Sequence, residues 1–112
     1  MRKDKLIKGI LEIIKTKSGI DFRYDHFRQS EAVPPPFIVY RRVAPDTFSA
    51  DGITFNKGQN VDIELYAEDE DQMAEIMEQI EELLDQNGIY YRLAADTVYI
   101  QSEDFYETLY EV

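Results

Sequence analysis

The sequence predicts a single α+β domain, built as a mainly antiparallel sheet with two amphipathic helices packed on one face. Three observations predict it. Two segments carry apolar residues at helical spacing, several others are β-branched or aromatic runs of strand length, and no connection looks long enough for a parallel βαβ unit. At 112 residues the chain makes one domain, because two pieces would each be too small to bury a useful core.

The first helix rests on Leu6, Ile7, Ile10, Leu11 and Ile14, which form one stripe, with Lys5, Lys8, Glu12 and Lys15 left to water. Lys15 and Lys17 suit the negative end of its dipole, and Ser18-Gly19 ends it. Ile20, Phe22 and Tyr24 then alternate with charged residues as a short half-buried strand. Pro34-Pro35-Pro36 lack backbone donors and favour an extended polyproline conformation, so residues 28–36 read as a loop or an approach to a sheet edge. Phe37 to Val43 has high strand preference. Pro45-Asp46 begins a polar loop reaching Gly52, and Gly58 marks a turn after Ile53-Thr54-Phe55.

Val61 to Leu65 alternates strictly, sending Val61, Ile63 and Leu65 to a core and Asp62 and Glu64 outward. The second helix carries Met73, Ile76, Met77, Ile80, Leu83 and Leu84 on one stripe. Asp69 caps its start with Gln72 as the reciprocal partner of a capping box, and Asn87-Gly88 supplies a left-handed stop. Ile89 to Leu93, Thr97 to Ile100 and Phe105 to Tyr110 read as three closing strands, with a tight turn at Ala95-Asp96.

Charge narrows the function classes. The net charge of −11 opposes general affinity for nucleic acid, whose phosphates demand a basic surface. Its distribution is uneven: residues 1–61 hold 11 Lys/Arg against 7 Asp/Glu, whereas residues 62–112 hold only Arg92 against 16 acids. Polarised surfaces of this kind suit head-to-tail contacts between identical copies, although acid also serves plain solubility. No apolar run reaches the length of a membrane span, and the apolar stretch after the basic start is interrupted by Lys8, Gly9 and Glu12, unlike a signal peptide. Cysteine is absent, so disulfides, thiolate metal sites and thiol nucleophiles are excluded.

Active-site chemistry lacks parts. His26, the single histidine, stands beside Asp25 with no nucleophile motif, and the five glycines are scattered without a phosphate-binding loop. Asp69, Asp71 and Glu75 lack the glycine and ligand spacing of a calcium loop and read as a capped, solvated helix start. No catalytic residue, cofactor or metal is therefore expected. The face carrying Glu75, Glu78, Glu81, Glu82 and Asp85 has no basic residue to pair with, which fits either a solvated face or one that meets a basic partner.

An amphipathic first helix, Tyr24-Asp25-His26-Phe27, Pro34-Pro35-Pro36-Phe37-Ile38-Val39-Tyr40 and Ala50-Asp51-Gly52-Ile53 follow one another in order. Val61 to Tyr66, an acidic helix, Gly88-Ile89-Tyr90-Tyr91 and Phe105 to Glu111 complete the series. Over nearly its whole length this pattern resembles the tail-terminator or tail-completion (head–tail joining) proteins of long-tailed phages and Gram-positive prophages. The resemblance implies an α+β subunit of a homo-oligomeric ring, commonly a hexamer. Such a ring stops tail-tube growth and meets the head connector, first in the host cytoplasm and then in the virion. It implies partners that are copies of the chain, tail-tube and head-connector proteins, and no nucleic acid or membrane. In a ring, Arg41 and Arg42 are candidates for meeting Glu75, Glu78 and Glu82 of the next subunit, and the loops at 28–36 and 44–60, with Pro34, Pro35, Pro36, Phe48 and Asp51, are candidates for covering a neighbour. The alternative from a different class is an acidic phage-encoded binding module, an inhibitor or DNA mimic acting on a basic host protein.

Overall fold

The structure is a computed structural model that describes residues 2–43 and 60–112. Helix α1 (Lys3–Ser18) leads into β1 (Asp21–Tyr24), a single 3-10 turn (Gln29–Glu31) and β2 (Phe37–Val43). After the segment 44–59 come β3 (Asn60–Ala67), α2 (Glu70–Gln86), β4 (Arg92–Ile100) and β5 (Phe105–Glu111). The five strands form one sheet in the order β1-β2-β3-β5-β4. Phe48, Asp51 and the turn and strand candidates around Pro45, Gly52, Ile53-Thr54-Phe55 and Gly58 lie outside the described residues.

The α+β reading holds. Alternate residues of the central strand, Val61, Ile63, Leu65 and Ala67, are fully buried and meet the stripes Ile7, Ile10, Leu11, Ile14 and Met73, Ile76, Ile80, Leu84 in one core. Helix α1 packs toward β1 and β3, and α2 toward β3 and β5, so both lie on the same side of the sheet. Gly19 ends α1 at φ 72°, its N–H donating to the Lys15 carbonyl at 2.8 Å; a side chain at that φ would be strained.

At the start of α2, the Asp69 side chain accepts from the Gln72 N–H at 2.7 Å, as the capping box requires. The reciprocal bond differs by one residue: Gln72 Oε1 accepts from the Glu68 N–H, not from that of Asp69. Replacing Asp69 by alanine is expected to cost about 1 kcal/mol, readable as a lower urea midpoint with an unchanged slope. No loss would mean that the Gln72 contact alone holds the helix start.

The sheet is mainly antiparallel as expected, but three details are corrected. β1 pairs with β2 in parallel, Asp21 opposite Phe37 through Tyr24 opposite Tyr40, whereas β2–β3, β3–β5 and β5–β4 are antiparallel. Residues 25–36 are long enough for the crossover a parallel pair needs. They include the 3-10 turn and a cis Pro35–Pro36 bond where an extended polyproline run was expected. There are two closing strands, not three. Asp96 and Thr97 are absorbed into β4 as an irregularity: the register shifts between Leu93 and Ala95 and again between Ala95 and Val98. Thr97 takes φ 53° there, and its N–H donates to the buried Thr108 hydroxyl at 2.9 Å.

Candidate functional site

Among the described residues, no helix covers the second face of the sheet. Period-two alternation aims Phe37, Val39 and Arg41 of β2, Asp62, Glu64 and Tyr66 of β3, and Phe105, Glu107 and Leu109 of β5 at that face. The β1–β2 connection folds against one end of it. There Phe27 meets Phe37 edge-on at 5.2 Å between ring centroids, and Arg23 stands 5.0 Å from the Phe27 ring. Phe37 stacks on Tyr66 at 4.8 Å, and Tyr66 meets Phe105 at 5.3 Å. The result is an open groove of about 410 Å³ with an aromatic floor, rimmed by His26, Val33, Glu103 and Ile100.

One polar chain runs through this apolar setting. The Tyr66 hydroxyl lies 2.7 Å from Glu64 Oε1 and 2.7 Å from Glu107 Oε2. It holds one proton and donates to one carboxylate at a time. Burial, then the hydrogen bonds to Glu107 and Glu64, hold that hydroxyl protonated far above the ordinary tyrosine range. Arg41 Nη1 approaches Glu64 Oε2 to 3.4 Å, and that buried oxygen has no hydrogen bond. The sequence sent Glu64 to water, but its side chain is only 14% exposed. The clue was available: Phe37, Tyr66 and Phe105 all fall on the outward phase of their strands, and an aromatic outward face is seldom solvated throughout.

The residues singled out from sequence separate into two groups. Arg41 is engaged by Glu64 of its own chain, so its charge is partly offset within the subunit. Arg42 lies on the other face at the end of β2, bonded to the Tyr24 hydroxyl, which its guanidinium holds below the ordinary tyrosine range. Pro34 is exposed, and Pro35 and Pro36 are half-buried. Glu75, Glu78 and Glu82 all face solvent from α2, apart from either arginine. Glu81 does not belong with them. It turns toward the sheet and accepts from the hydroxyls of Tyr110 and Tyr91.

The outer layer is divided by charge. Helix α1 carries five lysines against Asp4 and Glu12; α2 carries seven acids and no base. Lys5, Lys8 and Lys17 are exposed and form no ion pair among the described residues, whereas Lys15 pairs with Asp21 at 3.1 Å. Arg92, the one base after residue 61, is taken up by Glu111. The Asp25–His26 contact at 2.8 Å is exposed at the groove rim. Among the described residues no group of three or more His, Asp or Glu side chains is placed to hold a metal ion, and no helix is long and apolar enough to cross a membrane. No family model matches this chain, and no curated protein matches it either.

Proposed function

We propose that the chain is a structural ring subunit that assembles with copies of itself and works as a phage tail-terminator or head–tail joining protein. The phage assignment rests on the sequence pattern given above; self-assembly rests on one structural observation. The strand order β1-β2-β3-β5-β4 keeps the two halves of the chain at opposite ends of the sheet. Residues 2–43 bring ten Lys/Arg and five Asp/Glu to one end, and residues 60–112 bring Arg92 and sixteen acids to the other. A charge asymmetry along the chain thus becomes a charge asymmetry across the molecule. A body basic at one end and acidic at the other attracts its own copies head to tail, and such contacts close into rings when the rotation permits. The groove on the open face would then be free for a second partner, a tail-tube or connector protein.

Native mass spectrometry across protein concentration and salt tests this. The expected result is a closed oligomer that dissociates as ionic strength rises, because contacts between exposed charges are screened beyond roughly 10 Å at 0.1 M salt. A monomer under every condition, combined with capture of a basic host enzyme, would replace this reading with the acidic binding module.

A further inference from the structure

The outer surface of α1 has a shape as well as a charge. Lys5, Gly9, Ile13 and Lys17 follow one another at steps of four and so form one ridge of the helix. Gly9 is a gap in that ridge. A shallow depression of about 340 Å³ opens there, lined by Gly9, Glu12, Ile13, Thr16 and Lys17. Among the described residues nothing calls for glycine at this position, since a Cβ added to it would meet none of their atoms within 4 Å. Glycine inside a helix nevertheless destabilises it relative to any straight-chain residue. Beside the gap, Ile13 is 45% exposed, an apolar side chain on the solvent side of a helix whose core stripe is already complete.

We propose that this ridge is the seat for the acidic outer face of α2 from a second copy of the chain. The proposal rests on the ring reading and names its contact. Complementary charge selects the occupant: Lys5 and Lys17 end the ridge and outnumber Glu12, the acid that lines the depression, while Glu78 and Glu82 lie one turn apart on a helix with no base of its own. The α2 of the same chain cannot fill the seat. It already lies beside α1, with the Ser18 hydroxyl donating to Gln79 at 2.8 Å, and its exposed carboxylates Glu75, Glu78 and Glu82 face solvent. Glycine at the gap lets the incoming helix approach closely, and Ile13 supplies the apolar contact that exposed charge pairs by themselves do not. This seat replaces Arg41, which Glu64 occupies, as the basic partner of the acidic face.

Two sets of variants of the full chain test the seat. Gly9→Gln should raise the melting temperature of the dissociated subunit by about 4 °C, because it adds helix preference and its Cβ meets no described neighbour. The same change should weaken assembly tenfold or more by filling the gap. A variant that melts higher and assembles like the original chain overturns the seat while leaving the ring reading intact. The second set exchanges charge. Lys5→Glu with Lys17→Glu in one chain, and Glu78→Lys with Glu82→Lys in another, should each abolish assembly of that chain alone. Mixing the two chains should restore it, with both partners present in every oligomer. Assembly of either swapped chain alone, or no assembly of the mixture, overturns the seat. An original chain that stays monomeric at every concentration overturns both the seat and the ring.

Discussion

Above about pH 10 the protein is expected to lose stability steeply, with Tyr66 and Tyr110 as the cause. Tyr110 is buried and Tyr66 partly so, and both hydroxyls donate to carboxylates, Tyr66 to Glu64 or Glu107 and Tyr110 to Glu81. Burial first, and those carboxylates second, raise both groups far above the ordinary value of 10.0. In the unfolded chain the two tyrosines ionise near that ordinary value. Above it the unfolded state therefore releases protons that the folded state keeps, and rising pH favours unfolding. Below pH 10 both states hold these protons and the contribution is present in full. The decline is at most about 1.4 kcal/mol per pH unit for each tyrosine. It is smaller for Tyr66, which is only partly buried and so partly screened by solvent.

Tyrosinate absorbance followed alongside urea unfolding gives a direct readout. Of the eight tyrosines, Tyr24 should ionise earliest, since Arg42 lowers it, and Tyr66 and Tyr110 only as the fold is lost. Tyr66→Phe should remove one proton from the slope. Eight tyrosines ionising together while the fold persists would contradict the account.

The second large effect is expected at Tyr110 itself. It is fully buried in the helix-facing core, with its ring edge-on to Tyr91 at 5.4 Å. Tyr110→Ala deletes an aromatic ring from a packed interior and should cost about 3–5 kcal/mol, a large part of the stability of a domain this size. Tyr110→Phe keeps the ring and removes only the hydroxyl. It should cost about 1–2 kcal/mol, because Glu81 loses one of its two tyrosine donors but keeps Tyr91 and stands near enough to solvent to replace the other. Urea midpoints of the two variants separate packing from hydrogen bonding. Equal losses would show that the bond to Glu81, not the ring, is what the core depends on at this position.

The parts legible in sequence are those fixed by local rules. Helix α2 begins at its Asp69 cap and stops at Asn87-Gly88, where Gly88 takes φ 66°, because capping and backbone preference act within a few residues. β3 alternates as expected because its buried phase faces both helices. What escaped depends on distant neighbours. The parallel pairing of β1 is decided by where the 25–36 connection crosses, and the merger of two expected strands into β4 is decided by Thr108 on β5, which bonds the Thr97 N–H. The groove was hidden for the same reason: strand alternation tells which side Glu64 and Tyr66 face, but not that Phe27 and Phe105 enclose that side. Glu81 and Glu82 are neighbours with opposite fates, and only Tyr110 of β5 and Tyr91, just before β4, separate them. The candidate interface residues Glu75, Glu78 and Glu82 were legible as a solvent-facing set, because helical period alone fixes them.

The irregular edge strand β4 bears on how the protein behaves at high concentration. A long, flat strand with free amides invites another chain to continue the sheet, and repetition of that step yields fibres. β4 spans nine residues and exposes Leu93, Val98 and Tyr99, the composition of such a template. Its two register shifts and the left-handed Thr97 break the row of donors and acceptors that an incoming strand would have to match. The opposite edge, β1, is four residues long. Backbone-templated growth is disfavoured at both ends of the sheet, so association is left to side-chain surfaces, which saturate once they are mutually covered. Overexpression is therefore expected to give discrete species, with amyloid-type aggregation confined to conditions that first unfold the β4–β5 hairpin.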